Sequence, residues 1–338
     1  MGVQIPITQT FLLPDGREVI METGKLAAQA HGSAMIRLGD TMLLATVVSN
    51  KEAKEGQPFF PLSVDYQEKF ASVGRVPGNF FRRETRLSDY EILISRLVDR
   101  AVRPLFPDGY MNETQIIINL ISADKDIMPD ALAALAASTA LSVSDIPWDG
   151  PISEVRVARI DGQFVVNPGR EALATADLDV IIAATIKDIM MVEGEANECS
   201  EHDLIEAIRI GHEAIKVQCQ AQIDLAKKVG TKATQKRVLA EAPSDEDLKK
   251  VIDQFSRQRI LEISKGALEK SVRKEGFDTI KKELVAKLTE EKGEEYMKEK
   301  AALLDMYYEK LKKDVIRNFV IDTGMRIDGR KTNEVRPI

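Results

Sequence analysis

The sequence predicts an α+β domain followed by a small all-helical domain. Over residues 1–230, strand-like and helix-like segments alternate along the chain. The pattern changes near residue 231, after which apolar residues recur at the spacing of amphipathic helices. Residues 243–314 hold 17 acidic and 17 basic residues, a balance typical of helices with solvated charged faces. By charge alone, we expect this domain to be a poor surface for nucleic acid. We therefore expect a first core domain at 1–230, a linker at 231–242, a helical domain at 243–318 and a further segment at 319–338.

Two hairpins are predicted from paired turn residues between apolar runs. Gly39-Asp40 separates Ala34–Leu38 from Met42–Val48, and Asp161-Gly162 separates Glu154–Ile160 from Phe164–Asn167. Such two-residue loops are typical of tight hairpins. The remaining predicted strands are Glu18–Glu22, Phe60–Tyr66, Thr114–Ile121, Asp179–Thr185 and Ile189–Glu193.

The first helix is predicted from a capping box. Ser88 is followed three residues later by Glu91, a spacing that satisfies two backbone donors at a helix start. Pro104 and Pro107 then favour its end.

Three further helices are expected. The alanine-rich stretch Asp130–Leu141 follows Pro129, and its small residues predict close packing on both sides. A long helix is predicted from about Ser200 to Val229, and Ser244 with Asp247 predicts the start of the helical domain.

Composition limits the possible functions. The net charge is −7, which argues against a surface that coats nucleic acid nonspecifically but permits a local basic groove. No apolar run reaches 18 residues, so no membrane span is expected. The first ten residues lack the pattern of a signal peptide, and two cysteines fit a reducing compartment. We expect a cytoplasmic protein.

The most informative segment is 75–103, which carries seven arginines and no lysine. Arginine binds phosphate through a rigid fork of donors, and an aromatic ring offers a base a surface for stacking. Phe80-Phe81 stands beside Pro77-Gly-Asn79, which indicates a loop. Four acids lower the local charge to +3, and the two phenylalanines are alternatively core residues. The candidate nucleic-acid-binding residues are Phe80, Phe81, Arg82, Arg83 and Arg86.

Three more arginines share one face of the first helix. Arg96, Arg100 and Arg103 are spaced i, i+4, i+7, so they point to the same side. Phosphate contact and structural ion pairing are both open, with Asp99 a partner for Arg96 or Arg103.

A divalent-cation site has weak candidates in Asp177 and Asp179. Mg²⁺ needs only one or two carboxylates beside substrate oxygens, although the simpler interpretation is that both are turn and strand-end residues. The cysteines and histidines do not match a standard zinc spacing, and no phosphate-binding Gly-Lys-Ser/Thr loop is present.

A short repeat links the two ends of the chain. Asp15-Gly-Arg17 recurs as Asp328-Gly-Arg330, which suggests that a second domain like the first starts at about 325.

Together, several motifs in order resemble the bacterial polynucleotide phosphorylase family. The matching stretches are Gly24–Ser33, Gly39–Thr46, Phe80–Glu84, Arg96–Pro107, Val192–Ala196 and, for the start of a second core, Arg326–Arg330.

The resemblance implies an RNase PH-like core, a βαβ sandwich of mixed sheets and helices, joined by an all-helical domain to a second such core. It implies a homotrimeric ring that degrades single-stranded RNA from its 3′ end. Inorganic phosphate is the attacking group, nucleoside diphosphates are the products, the reaction is reversible, and Mg²⁺ or Mn²⁺ assists. Membership of an RNA-degradation complex is a further possibility.

The resemblance also divides the labour within the family. It implies that Phe80 and Phe81 form a constriction of the RNA channel and that Arg82, Arg83 and Arg86 bind RNA. Catalysis belongs chiefly to the second core, so this chain alone is expected to be inactive. Two alternatives stay open, a non-catalytic RNA-binding or ring-assembly subunit and an RNase PH-like enzyme active on its own.

Overall fold

A computed structural model describes residues 5–54, 57, 59–78, 84, 86–239 and 244–336. The chain divides into two units, Met1–Ala240 and Glu241–Ile338. The strands are β1 Ile7–Leu12, β2 Glu18–Thr23, β3 Gly32–Leu38, β4 Thr41–Ser49, β5 Leu62–Glu68, β6 Thr114–Ser122, β7 Ser153–Ile160, β8 Gln163–Val166, β9 Leu178–Ala184 and β10 Ile189–Ala196. The helices are α1 Asp89–Val102, α2 Asp130–Ser142, α3 Arg170–Leu173, α4 Glu201–Val229, α5 Thr231–Thr234, α6 Glu246–Lys265, α7 Lys270–Lys292 and α8 Glu294–Thr323.

The described strands of the first unit form two sheets. The larger has the order β1-β2-β3-β4-β6-β5 and is antiparallel except for the β5–β6 pair. The smaller has the order β10-β9-β7-β8 and is antiparallel throughout. The predicted α+β class is confirmed.

Both predicted hairpins are confirmed. Gly39 has φ +58°, and the pair Asp161-Gly162 has φ +50° and +76°. Asp161-Gly162 thus has positive φ at both central positions, whereas in the first turn Gly39 has it and Asp40 does not. Both arrangements match the twist of antiparallel strands.

Helix α2 packs against β3 and β4 of the larger sheet and β7 of the smaller one, as its alanines predict. Its side chains from Asp130 to Leu141 are all buried. The approach is so close that a Cβ on Gly32 would lie 2.0 Å from the carbonyl oxygen of Ala140. Small residues therefore set the spacing between the sheets and α2.

The capping box of α1 is confirmed, whereas the one predicted for the helical domain is wrong. Ser88 Oγ accepts the N–H of Glu91 at 3.2 Å, and Glu91 accepts the N–H of Ser88 at 2.6 Å. Helix α6 is instead capped by Asp245, whose carboxylate accepts the N–H of Leu248 at 2.9 Å. A carboxylate accepts this N–H as a hydroxyl would, and its negative charge also interacts favourably with the positive end of the helix dipole. The uncharged hydroxyl of Ser244 lacks this second interaction.

Part of the predicted linker is bound to the first unit. Lys236 Nζ donates to the carbonyls of Leu141, Ser142 and Ser144, at 3.3, 3.3 and 2.6 Å. The last carbonyls of a helix lack partners within that helix, so a nearby ammonium group satisfies them.

The second unit is built from α6, α7 and α8. Its core includes Leu248, Ile260, Phe277 and Leu284, and Tyr308 donates to the carbonyl of Phe277 at 2.7 Å. None of the described helices has the length and apolar composition needed to cross a membrane.

The Asp-Gly-Arg string at 15–17 forms the turn between β1 and β2. Leu13 donates to the carbonyl of Arg17 at 2.8 Å, and Gly16 donates to the carbonyl of Leu13 at 2.9 Å. Gly16 has φ +86°, and Arg17 Nε donates to Asp15 at 2.6 Å.

The string at 328–330 forms the same turn within the second unit. Arg326 donates to the carbonyl of Arg330 at 2.7 Å, and Gly329 donates to the carbonyl of Arg326 at 2.9 Å. Gly329 has φ +85°, and Arg330 Nε donates to Asp328 at 3.1 Å.

Candidate nucleic-acid interface

Residues 75–88, called here the arginine-rich loop, lie between β5 and α1. Its predicted contact residues Phe80, Phe81, Arg82 and Arg83 lie outside the described residues. A short 3₁₀ helix at Phe70–Val73 leads into the loop.

The base of this loop is held by Glu84. Its carboxylate accepts the N–H of Phe70 at 2.6 Å. This bond joins a residue that follows Phe80 and Phe81 in the chain to a residue that precedes them. From the sequence, Glu84 counts only as a charge that lowers the local balance. A backbone hydrogen bond across the loop leaves no signal in sequence spacing.

Two arginines near the loop are accessible. Arg86 and Arg96 are exposed, and neither makes an ion pair or hydrogen bond with any described residue. An anion can therefore bind these guanidinium groups without displacing a partner among the described residues.

Arg103 is engaged in the fold. It makes two hydrogen bonds to Asp99, at 2.6 and 2.9 Å, which decides the open question of which arginine Asp99 pairs with. It also donates to the carbonyls of Phe60 and Leu62, at 3.1 Å each. The two bonds to Phe60 and Leu62 tie the end of α1 to the start of β5, and the two to Asp99 hold the guanidinium in place, so Arg103 serves the structure.

Arg100 is intermediate between these cases. It pairs with Glu193 of β10 at 2.8 Å, and both side chains are about half exposed. Exposed pairs of this kind are worth about 0–1 kcal/mol, so a phosphate can displace the carboxylate. The face predicted from helical spacing thus divides into Arg96 without a described partner, Arg100 weakly paired and Arg103 bound.

Asp177 is bound by an arginine rather than open to a cation. Arg159 donates two hydrogen bonds to its carboxylate, each at 2.8 Å, and the same guanidinium pairs with Asp203 at 2.7 Å. The hydrogen bonds from Arg159 hold the pKa of Asp177 below its usual range.

Asp179 belongs to a buried ion cluster. Arg156 pairs with it at 2.5 Å and also with Asp130, whose side chain is 2% exposed. Burial raises the pKa of Asp179 and the Arg156 guanidinium opposes this rise. Glu154, on the same strand as Arg156, is also buried, and burial raises its pKa to about 8.

A cleft of about 530 Å³ opens beside these residues and is lined by Asp177, Asp179, Glu195 and Arg170, among others. A magnesium ion does not fit well here, because both predicted carboxylates already bind arginines. Within the described ranges, no group of three or more His, Cys, Asp or Glu side chains is placed to hold a metal. These ion pairs could not be predicted from the sequence, because Arg156 and Arg159 lie on a different strand, far from the two aspartates along the chain.

Three family models match the chain in order. "3' exoribonuclease family, domain 1" covers residues 15–147, "3' exoribonuclease family, domain 2" covers 150–214, and "Polyribonucleotide nucleotidyltransferase, RNA binding domain" covers 247–331. The last description disagrees with our expectation that the charge-balanced helical domain is a poor surface for nucleic acid.

Curated relatives match almost the whole chain. A polyribonucleotide nucleotidyltransferase from Bacteroides fragilis is 53% identical over 98% of this chain and 46% of its own length. One from Cytophaga hutchinsonii is 50% identical over the same shares. The chain therefore spans slightly less than half the length of these relatives. Among solved structures, an Archaeoglobus fulgidus exosome chain aligns at 18% identity with a TM-score of 0.47, over 60% of this chain and 89% of that one.

Proposed function

Because this chain belongs to the polyribonucleotide nucleotidyltransferase family, we propose that it is part of a phosphorolytic 3′-to-5′ exoribonuclease. In that reaction inorganic phosphate attacks the 3′-terminal phosphodiester of single-stranded RNA and releases a nucleoside diphosphate, reversibly. The observation that carries the proposal is the match at 53% identity over 98% of the chain.

This half of the enzyme binds and guides RNA. The support is an arginine-rich loop anchored at its base by Glu84, with Arg86 and Arg96 exposed beside it. Guanidinium groups hold phosphates, while Phe80 and Phe81 of the same loop supply surfaces for base stacking. The loop thereby holds the strand through contacts that every RNA sequence offers.

Catalysis takes place in a second core. Asp177 and Asp179 are neutralised by Arg159 and Arg156, so they are poorly suited to bind Mg²⁺ or Mn²⁺. The metal ion belongs to the complete enzyme and serves there to stabilise charge on the transferred phosphoryl group. The Asp-Gly-Arg turn at 328–330, which repeats the turn at 15–17, supports a second core that begins within 319–338. The complete enzyme is a cytoplasmic homotrimer and a member of an RNA-degradation complex.

A phosphorolysis assay tests this division. The chain itself, with oligo(A), inorganic phosphate and Mg²⁺, is expected to release no nucleoside diphosphate above background. The same chain extended by a second core is expected to release it in proportion to enzyme. Robust metal-dependent release by the chain alone would refute the assignment of catalysis to a second core.

The second candidate is a non-catalytic RNA-binding or ring-assembly subunit. It is favoured by the same neutralised carboxylates at Asp177 and Asp179. The extended protein separates the two candidates, because a protein that binds RNA and forms a ring but never releases product is such a subunit.

A further inference from the structure

Helix α8 carries three cations on one exposed side. Lys310, Lys313 and Arg317 are spaced i, i+3, i+7, so they form a stripe along a single face. All three are exposed, and none makes an ion pair or hydrogen bond with a residue in the described part of the chain. With a rise of about 1.5 Å per residue, the stripe extends over about 10 Å.

Two of the acidic residues near this stripe pair with other cations. Asp305 pairs with Lys281 of α7 at 3.0 Å, and Glu309 pairs with Lys312 at 2.7 Å.

The third acid, Asp314, lies four residues after Lys310 and three before Arg317, and no ion pair or hydrogen bond joins it to a residue in the described part of the chain. Arg257 has a raised pKa, chiefly because of its hydrogen bonds to Asp253, and the charge of Asp314 adds to that rise. The equal totals of acids and bases over 243–314 therefore conceal a local excess of positive charge, because the three cations of this face outnumber Asp314. A charge-balanced domain can thus offer nucleic acid a local basic surface.

Apolar side chains continue the same face at both ends. Met306, four residues before Lys310, is 50% exposed, and Ile321, four residues after Arg317, is 66% exposed. Exposed apolar groups beside cations suit a ligand that has both charge and flat apolar faces. Single-stranded RNA has this combination in its phosphates and bases.

We propose that the α8 stripe, defined as Lys310, Lys313 and Arg317, binds the sugar–phosphate backbone of single-stranded RNA. The inference rests on the proposed function and deepens it by giving the helical domain its own contact with the strand. It agrees with the family description of 247–331 as an RNA-binding domain. An acidic protein is a weaker choice of partner, because two scattered apolar side chains provide little of the apolar core typical of protein interfaces.

The test is RNA affinity against salt for the complete 338-residue chain. Labelled oligo(A) is titrated by fluorescence anisotropy with the parent and with a triple variant in which Lys310, Lys313 and Arg317 are replaced by Ala. The matched control replaces Lys249, Lys250 and Arg259 of α6 by Ala. The control removes the same two lysines and one arginine from the same unit, but each of these has an acidic partner.

Each phosphate contact with a single strand contributes about 0.7 to the slope of log K against log salt. The stripe variant should therefore flatten the slope by up to about 2 and weaken binding about tenfold to a hundredfold near 0.1 M salt. The control should bind nearly as the parent does. Lys310→Arg with Lys313→Arg should also keep the parent affinity, and circular dichroism should show all variants folded.

The possible outcomes separate the two proposals. If the parent binds RNA and the stripe variant matches it in affinity and slope, the stripe inference is wrong while RNA guidance by the chain stands. Equal losses in the stripe variant and the control also overturn it, because they indicate a general effect of net charge. If the parent shows no salt-dependent binding to oligo(A), both proposals fail.

Discussion

Replacing Arg156 by Ala leaves two carboxylates without the cation that joins them. Arg156 pairs with Asp130 at the start of α2 and with Asp179 on β9, and it lies on β7 between them. Its contacts therefore connect three elements of the first unit.

The expected cost follows from the burial of the three side chains. Asp130 is 2% exposed, Arg156 12% and Asp179 20%, so solvent screens these pairs poorly. Removing one partner of a buried pair costs about 3–5 kcal/mol, because the remaining charge is left without compensation. Whole domains are stable by only about 5–15 kcal/mol, so Arg156→Ala should unfold at a much lower urea concentration. Arg209→Ala is the matched control, since Arg209 is 62% exposed and its pair with Glu206 is worth about 0–1 kcal/mol.

Urea denaturation followed by circular dichroism measures both variants, with and without millimolar Mg²⁺. We expect a large loss for Arg156→Ala, almost none for Arg209→Ala, and no effect of Mg²⁺ on the parent. Equal small losses for both variants would refute the reasoning from burial. A parent stabilised by Mg²⁺ but not by a monovalent salt would indicate that the carboxylates near Asp179 bind the metal after all.

Three other predictions concern pH and RNA. The folded-state pKa of Glu154, about 8, lies above the unfolded value of about 4.3, so its contribution to stability is present at low pH and is lost as pH rises between these values. Glu154→Gln should therefore gain stability relative to the parent between about pH 5 and about pH 8, by at most about 1.4 kcal/mol per pH unit. A difference in free energy of unfolding that stays constant across this pH range, measured by urea denaturation, would contradict this prediction. Arg96→Ala should weaken oligo(A) binding without lowering the melting midpoint, whereas Arg103→Ala should lower the midpoint. Anisotropy and thermal melts measure both effects. A lower midpoint for Arg96→Ala, with an unchanged midpoint for Arg103→Ala, would contradict these roles. In the extended enzyme Arg83→Ala should flatten the salt dependence of RNA binding, whereas Phe81→Ala should cost about 1–3 kcal/mol per unstacked base at nearly constant slope, so indistinguishable salt plots would count against these roles.

Features encoded over a few residues were predictable from the sequence. The capping box of Ser88 and Glu91 and the turn at Gly39-Asp40 depend on side chains or φ angles within four residues. The pair between Asp99 and Arg103 was predictable as one of two options, because i, i+4 residues adjoin on a helix. In each case chain geometry alone brings the partners together.

Contacts between distant residues were not predictable. Arg156 lies 26 positions after Asp130 and 23 before Asp179, so only the packing of α2 on the smaller sheet shows that the two aspartates share one guanidinium. The same limit applies to the site. The sequence identifies seven arginines in 75–103, but only the fold distinguishes the bound Arg103 from the exposed Arg96.

The repeated Asp-Gly-Arg string shows how a weak sequence signal gains weight from structure. Three matching residues arise easily by chance, and identity alone cannot distinguish a repeat from coincidence. The bridge between Leu12 and Glu18 across the first turn corresponds to the bridge between Met325 and Lys331 across the second. Both turns also share their backbone hydrogen bonds and a glycine with φ near +85°. The type and length of a turn set the pairing of the residues that flank it, so the shared register follows from the shared turn. The structure therefore adds that both strings form one turn type at the same place in a strand pair. This agreement supports our proposal that a second core, where we place the catalytic step, begins after the last helix of the second unit.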